Sequence, residues 1–321
     1  MDSSNPTQTV SPARRRLFFI LGGVLLLLIA AGAATHYKSF MNQESSPKGE
    51  AEEGEAEAPL NLGLRYYHGK GEPQNDALAA EWFQKAADQG DSQAQLLLGL
   101  MYYEGEGVPQ DFALAAEWFR KAADQGNPVA QRRLGSLFYE GEGVPQDFVL
   151  AAEWFHKAAA QGVPEARRLL GVMYFKGEGV PRNFTLAAEW FRKAADQGNS
   201  HAQGILGDMY YEGQGVPQDF LLAAEWFRKA ADQGNIEAEG RLGIMYANGQ
   251  GVPEDFFLAA EWFRKAADQG DSHAQMLLGL MYYEGKGVPK DNQKALEWLK
   301  TSAAQGNTEA QDMLEELGQQ W

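Results

Sequence analysis

The chain contains no cysteine, which excludes disulfide bonds, thiolate metal sites, iron–sulfur clusters and cysteine nucleophiles. Positive charge is also scarce, because 28 lysines and arginines stand against 44 aspartates and glutamates, for a formal charge of −16. Such a charge repels the phosphate backbone of nucleic acids, so we expect no nucleic-acid partner. Only five histidines occur, and neither their spacing nor any serine motif matches a metal site or a catalytic triad. We therefore predict no metal, no cofactor, no catalytic residue and no enzymatic activity.

A long apolar run stands near the start of the chain. Residues 17–34 carry no charged side chain, and with residues 35–37 they approach the ~20 residues that a membrane-spanning helix needs. Three arginines, Arg14 to Arg16, precede this run, whereas only Lys38 follows it closely. The positive-inside rule then keeps the N-terminus in the cytoplasm. The sequence predicts a short cytoplasmic tail at residues 1–16, a single transmembrane helix acting as a signal anchor at 17–37, and a large periplasmic domain.

A cleaved secretory signal is the alternative for this segment, because Ala31, Gly32 and Ala33 form a cleavage site of the A-x-A type. The apolar run is longer than the roughly 7–15 residues of a signal sequence, which favours the uncleaved anchor. Residues 38–57 are rich in glutamate and poor in large apolar side chains, which predicts an acidic, disordered linker. The expected location is the inner membrane with a periplasmic repeat domain. A soluble periplasmic protein and a eukaryotic secretory-pathway membrane are the alternatives.

A period of 36 residues organises the rest of the chain. Glycines recur with this step from Gly63 and again from Gly90, without insertions. Seven tryptophans keep the same step: Trp82, Trp118, Trp154, Trp190, Trp226, Trp262 and Trp298. A fixed period of this length is typical of a stacked array in which each unit contacts mainly its neighbours.

Each unit contains two predicted helices, which we call helix A and helix B. In repeat two, apolar residues at three- and four-residue spacing predict a helix A that ends near Gly105. Helix B follows the predicted N-cap Asp111 and ends before Gly126, which suits a left-handed conformation. The glycine-containing turn between them lets the helices fold back antiparallel. Gly99, inside helix A, costs about 1 kcal/mol relative to alanine, which predicts the close approach of another backbone.

These residues resemble the Sel-one-like repeat (SLR) family, a relative of the tetratricopeptide repeat. The residues that carry the resemblance in repeat two are Ala94, Leu98, Gly99, Tyr102, Gly105, Gly107, Val108, Asp111, Ala115, Trp118, Lys121, Ala122, Ala123 and Gly126. The pattern recurs seven times over residues 58–306, and residues 307–321 predict a C-terminal capping helix with Ala310 and Leu314 inside. The resemblance implies an all-α fold, a right-handed α-solenoid of seven helix-turn-helix repeats. It also implies a non-enzymatic scaffold for protein–protein interactions.

Comparison of the repeats with one another places a binding face on helix A. Helix B is nearly identical in each repeat, whereas helix A varies. By resemblance to tetratricopeptide arrays, the concave face is lined in repeat two by Gln93, Leu96, Leu100, Tyr103 and Glu104. Aromatic residues recur at the position of Tyr103, and two arginines occupy the position of Leu96 in the middle repeats. The predicted groove residues are Tyr103, Arg132, Tyr139, Arg168, Phe175, Asp208, Tyr211 and Tyr283, which suit an acidic protein or peptide partner.

Other interpretations of these positions stay open. The tyrosines could simply pack helix A against its neighbour, with drift accounting for the variation. The aromatic residues that recur at the position of Tyr103, which we call the aromatic ladder, could instead stack on sugars. This alternative predicts a glycan- or peptidoglycan-binding envelope protein. A hydrolase would need a cluster of acid, base or nucleophile that the sequence does not offer. Asn183 begins a glycosylation sequon, but it occupies the N-cap position of a helix B, which favours the capping role. The oligomeric state is not predicted.

Overall fold

The computed structural model describes residues 58–71 and 73–320, which contain fifteen α-helices and no strand. Numbered in chain order, the A helices are α1 (Pro59–His68), α3 (Ser92–Glu104), α5 (Pro128–Glu140), α7 (Pro164–Lys176), α9 (Ser200–Glu212), α11 (Ile236–Asn248) and α13 (Ser272–Glu284). The B helices are α2 (Asp76–Asp88), α4 (Phe112–Asp124), α6 (Phe148–Ala160), α8 (Phe184–Ala195), α10 (Phe220–Ala231), α12 (Phe256–Asp268) and α14 (Asn292–Ala304). The last helix is α15 (Thr308–Glu316). Each helix packs against its neighbours in the chain, which gives the all-α repeat solenoid that the sequence predicts.

The predicted tail, transmembrane helix and linker, residues 1–57, lie outside the described residues. Among the helices from α1 to α15, none combines the length and the apolar character that crossing a bilayer requires.

The B helices begin at side-chain caps. The Asp111 carboxylate accepts hydrogen bonds from the amides of Ala113 and Leu114, at 2.9 and 3.0 Å. Asn183 accepts in the same way from the Leu186 amide at 3.0 Å, so its side chain has the predicted capping role. These bonds satisfy amides that the first turn of a helix leaves without partners. The cap thus fixes where each B helix starts after its turn.

Glycines end the A helices and bring consecutive repeats together. Gly105 closes α3 with φ of 73°, and Gly107 follows with φ of 71°, a region that residues with a Cβ rarely adopt. A Cβ on Gly107 would also overlap the backbone carbonyl of Asp76 in the preceding repeat. Gly107 is therefore required for two reasons: its backbone conformation favours glycine, and the contact with the preceding repeat leaves no space for a Cβ atom.

The core of repeat two is built around two aromatic residues of helix B. Phe119 is fully buried, and Trp118 beside it keeps 7% of its surface exposed. A Cβ on Gly99 would come within 2.6 Å of the Phe119 ring, so this ring fills the space that the glycine leaves. The prediction that another backbone passes close to Gly99 is confirmed at the carbonyl oxygen of Ala115, 3.4 Å from such a Cβ, but the nearest contact is the Phe119 ring of the same repeat.

A buried polar contact, which we call the glutamine clamp, joins neighbouring repeats. Gln95 of α3 donates to the carbonyl oxygen of Ala87 at 3.1 Å, and Gln125 at the end of α4 donates to the Gln95 side chain at 2.7 Å. The clamp recurs at Gln131 with Gln161, Gln203 with Gln233, and Gln275 with Gln305. Each clamp connects the end of one B helix to both helices of the next repeat. It satisfies buried amides and fixes the register between repeats.

The final helix covers the end of the core. Ala310 and Leu314 of α15 are fully buried against Leu299 and Ala303 of α14. Glu315, in contrast, is exposed at the position that glycine holds in the other A helices. A side chain of this size at the close-packing position would prevent a further B helix from packing against α15.

Candidate functional site

The predicted groove residues belong to one surface of the A helices, which we call the A face. It consists of the positions equivalent to Leu96, Leu100 and Tyr103 in each repeat. Arg132 and Arg168, in consecutive repeats, lie close enough for their charges to interact. Leu96, Leu100 and Arg168 are buried rather than exposed. The geometry of the A face differs from one part of the array to another.

The aromatic positions of the A face are packed inside their own repeats. The Tyr103 ring stands edge-on to the ring of Phe112, the first residue of α4, with centroids 5.2 Å apart. The same T-shaped pair recurs for Tyr139, Phe175 and Tyr211, each with the first residue of the following B helix, at 5.1 to 5.2 Å. Tyr283 is more open, with 37% of its surface exposed, because Asn292 replaces the phenylalanine in repeat seven. Except for Tyr283, these rings contribute to packing as well as to the surface.

The tyrosine hydroxyl groups connect consecutive repeats. Tyr139 donates to the Glu178 carboxylate in the next repeat, and Tyr211 donates to the Gln250 side-chain oxygen at 2.8 Å. Burial, together with the nearby Glu142 carboxylate, raises the pKa of Tyr103 to about 12, so its hydroxyl stays protonated at neutral pH. The aromatic residues at the position of Tyr103 therefore have the packing role that the sequence left open. Their contact with a partner stays a prediction.

Arg168 lies in the middle of the A face, where the sequence places positive charge, but its charge is already paired. The side chain is 3% exposed, and its Nε and Nη2 atoms donate to the Glu165 carboxylate at 3.0 and 2.6 Å. Asn199 of the next repeat donates to the same carboxylate at 3.1 Å. Burial by itself would raise the pKa of Glu165, but Arg168, Arg132 and the hydrogen bonds lower it to about 2. Arg168 is therefore held inside an ion pair rather than presented to a partner.

Arg132 is in a different electrostatic situation. It is partly accessible but recessed among neighbouring side chains, and no carboxylate of the described residues lies within ion-pair distance of it. Burial and the charges of Arg133 and Arg168 lower the pKa of Arg132 to about 9, against a smaller opposing effect of Glu165. The guanidinium stays protonated at neutral pH, so Arg132 contributes a positive charge to this part of the A face.

Repeats five and six give the A face an open, acidic character. Gly204 and Gly240 replace the arginines, and a Cβ on Gly240 would meet no atom within 4 Å. Asp208 lies one helical turn after Gly204 and pairs with Arg241 Nε at 2.9 Å. Burial raises the pKa of Asp208 to about 6; Arg241 opposes this rise, while Glu237 and Glu212 add to it. The predicted basic middle is therefore followed by a section of opposite charge.

Sequence reasoning missed several residues that determine these charges. Glu165 stands three residues before Arg168, a spacing at which helix side chains meet, so the ion pair could have been expected. The tyrosine partners lie 39 residues downstream, one repeat and three residues further, which a repeat-by-repeat comparison could have found. Burial raises the pKa of Glu140 to about 7, with Glu142 adding to the rise, and the sequence gives no sign of this. No cluster of three or more possible metal ligands occurs in residues 58–71 and 73–320.

Comparison with known proteins agrees with the repeat pattern. The Sel1 repeat matches seven consecutive segments of the chain: 56–91, 92–127, 128–163, 164–199, 200–235, 236–271 and 272–307. A protective antigen present in uropathogenic Escherichia coli strains, which displays an SLR fold, is 42% identical with a TM-score of 0.79. The match covers 82% of this chain and 56% of the antigen, so the chain spans just over half of that protein's length.

A Sel1 repeat protein from Oxalobacter formigenes is 40% identical with a TM-score of 0.69, over 81% of this chain and 75% of that one. A comparison with curated proteins gave no significant match. The family match spans well over half of the chain and coincides with the observed helix pairs. The chain therefore belongs to the Sel1 repeat family.

Proposed function

We propose that the protein is a membrane-anchored, non-enzymatic adaptor that binds a protein partner on the A face of its repeats. The Sel1 repeat fold is typical of scaffolds for protein–protein interaction. The A helices differ from repeat to repeat on the A face, where Leu96, Arg168 and Met276 are buried but Tyr103, Arg132 and Tyr283 keep exposed surface, which is the part that could select a partner. The B helices, which build the array, are nearly constant.

Arg132 carries the proposal. Arg132 is a recessed cation near Arg133 and Arg168, and Glu165, the carboxylate that interacts with it, is already hydrogen-bonded to Arg168. A carboxylate from a partner would relieve the repulsion and restore the interactions that burial removes. The neighbouring ion pair between Arg168 and Glu165 fixes the positions of these two side chains next to Arg132. The partner we propose therefore places an acidic side chain at repeats three and four.

The partner's charge should change along the array. Asp208, Glu212 and Glu237 make repeats five and six acidic, and Gly240 faces open space. A uniformly acidic peptide would be repelled there, so the partner segment carries acidic residues at one end and neutral or basic residues at the other. This refines the sequence-based expectation of an acidic ligand. Because the rings of Tyr103, Tyr139, Phe175 and Tyr211 pack edge-on against phenylalanines, sugar stacking along the ladder is the weaker alternative.

The cellular location in this proposal rests on the sequence of residues 1–57. An anchor at residues 17–37 would hold the repeats on the periplasmic side of the inner membrane, where an envelope or signalling partner would be found. Protease added to intact spheroplasts tests this topology. Digestion of the repeats together with recovery in the membrane fraction supports the anchored form. Protection of the repeats, or their release as a soluble fragment cleaved near Ala33, contradicts it.

Substitution of Arg132 tests the binding face. A photo-crosslinker at Ser136, one turn further along α5, should form a specific adduct in cells that Arg132→Glu abolishes and Arg132→Lys largely preserves. Arg120→Glu is the matched control, because it makes the same charge change on helix α4, away from the A face. Unchanged capture by Arg132→Glu, or equal loss with Arg120→Glu, would count against the A face as the binding surface.

A further inference from the structure

The tryptophans of the first six repeats are covered by a lysine. In each of these repeats the lysine three residues after the tryptophan places its Nζ over the indole ring, 3.5 to 4.1 Å from the centroid. The Trp262 ring, for example, lies 3.8 Å from Lys265 Nζ. This cation–π contact is part of the repeat's own structure, and it occupies one face of the indole ring.

Repeat seven departs from this arrangement at two positions. Thr301 replaces the lysine, so the Trp298 ring has no such cover. Lys294 replaces the leucine that the other repeats carry at the start of helix B, such as Leu258. Its Nζ lies 5.4 Å from the centre of the Tyr282 ring, and 3.9 Å from the carboxylate of Asp291. In repeat seven the positive charge is therefore carried by Lys294, which lies beside the gap between α12, α13 and α14 rather than over the indole ring.

These two changes coincide with a cleft of about 400 Å³. Its lining residues are Arg264, Tyr282, Lys294, Glu297, Trp298 and Thr301. The Arg264 guanidinium donates to the Tyr282 hydroxyl at 3.1 Å, which holds it at the edge of the cleft. The volume is in the range of small-molecule sites, roughly 300–1,000 Å³. We call this cleft the Trp298 site.

The chemistry of the lining residues defines the ligand. Two cations, Arg264 and Lys294, and one anion, Glu297, line the cleft, and the Asp291 carboxylate lies 3.9 Å from Lys294 Nζ, which leaves the Arg264 guanidinium as the cation without a carboxylate at ion-pair distance among the described residues. The Trp298 indole offers an aromatic surface, and the surrounding hydroxyl, carboxylate and cationic groups offer both donors and acceptors. A ring with an apolar face, several hydroxyl groups and one carboxylate matches each of these features.

We propose that the Trp298 site binds an acidic sugar of the uronate class. The ring stacks on Trp298, Arg264 and Lys294 hold the carboxylate, and Glu297 accepts hydrogen bonds from the hydroxyl groups. The site lies between repeats six and seven and shares no residue with the A face, so it is a second binding function independent of the adaptor role. In the first six repeats a lysine lies over the indole ring instead.

The experiment measures binding of D-glucuronate to the full chain by saturation-transfer NMR and calorimetric titration. D-glucose tests the need for the carboxylate, and glutarate tests the need for the ring. Glucuronate should bind at least about tenfold more tightly than glucose, the usual effect of losing a charge-assisted hydrogen bond. Saturation should be strongest on the ring protons that stack on the indole. Absence of glucuronate binding at millimolar concentration would overturn the proposal.

Three variants assign the binding to this cleft. Trp298→Leu should abolish it, and Thr301→Lys should abolish it while restoring the residue that the other six repeats carry, which guards against a folding artefact. Trp262→Leu is the matched control, because it removes an equivalent indole that is already covered by Lys265, and it should leave affinity unchanged. Conversely, Lys265→Thr combined with Leu258→Lys should add a second site. Equal binding to the wild type and to Thr301→Lys, equal affinity for glucose, or binding of an acidic peptide in place of the sugar would each refute the assignment.

Discussion

Two glycines of the same helix should respond in opposite directions to the same substitution. Gly240 and Gly243 both lie inside α11, three residues apart. A Cβ on Gly240 would meet no atom within 4 Å, whereas a Cβ on Gly243 would overlap the ring of Phe263, which is 3% exposed. Alanine favours a helix over glycine by about 0.8–1.0 kcal/mol in both places. Only at Gly243 is this gain opposed by overpacking.

The magnitudes follow from these two contributions. Gly240→Ala should stabilise the array locally by about 1 kcal/mol, which slows amide exchange in α11 and α12 by about fourfold to fivefold. Displacing a well-packed ring costs about 1–3 kcal/mol, and the overlap at Gly243 favours the upper part of that range. Gly243→Ala should therefore destabilise by about 1–2 kcal/mol, and exchange should be about five to thirty times faster.

Hydrogen exchange measured by mass spectrometry on the full chain separates the two outcomes, because it reports each repeat separately. Phe263→Ala provides the internal check: with the ring removed, Gly243→Ala should become favourable, like Gly240→Ala. The pair of Gly204 and Gly207 in α9 is a replicate, since a Cβ would lie 3.6 Å from Asn235 in the first case and 2.7 Å from the Phe227 ring in the second. If both alanines in α11 stabilised the repeat, the close packing of glycine against phenylalanine would not be what requires the glycine.

Three further predictions concern buried carboxylates and a helix cap. Glu239→Gln should raise the free energy of unfolding by about 1 kcal/mol, because a glutamine there completes the clamp with a bond to Ala231 and removes a buried charge; denaturant titration measures it. Glu140→Gln should flatten the pH dependence of stability. Burial raises the pKa of Glu140 to about 7, so the folded state binds the proton more tightly and stability falls as the pH rises from about 4.5 to about 7. Asn183→Ala should cost about 1 kcal/mol through loss of the α8 cap, whereas Asn183→Asp should be nearly neutral in thermal denaturation.

A specific experimental result would contradict each of these three predictions. A Glu239→Gln protein that unfolds at lower denaturant would mean that the carboxylate has a favourable partner that outweighs the missing donor. An unchanged pH profile for Glu140→Gln would show that another group titrates in this range; Asp208, whose pKa burial raises to about 6, would then be the first to test. Equal losses for the two Asn183 variants would show that the amide group itself, rather than an accepting oxygen, is needed.

The sequence was sufficient for the architecture because its signals are local and repeated. The cap at Asp111, the positive φ at Gly105 and the apolar spacing of the helices each depend on a few neighbouring residues, and the 36-residue step multiplies them. The glutamine clamp was not anticipated. Gln95 looks like a surface residue in isolation, and its burial depends on the B helix of the preceding repeat, whereas its partner Gln125 is exposed.

The charge of the A face could not be predicted from residue types alone. The choice of its positions rests on the resemblance to tetratricopeptide arrays, and its use as a binding surface stays a prediction. The state of Arg168 depends on Glu165 one turn earlier and Asn199 in the next repeat, so its residue type alone does not show that its charge is paired. Arg132 has the same residue type at the same position, yet it lacks such a pair because Val129 stands where repeat four has Glu165.

The near-identity of the B helices has a consequence for folding. Because every A helix meets almost the same surface on the repeat before it, an A helix can dock on a foreign neighbour with little loss of contact energy, whether within one chain or between two chains. Register errors of one whole unit are then the expected kinetic traps during refolding. What distinguishes correct from shifted stacking is the small set of unlike contacts, such as Asp208 with Arg241, together with the two dissimilar ends, the short α1 and the closing α15. Loss of either end should favour chain-to-chain polymers over monomers.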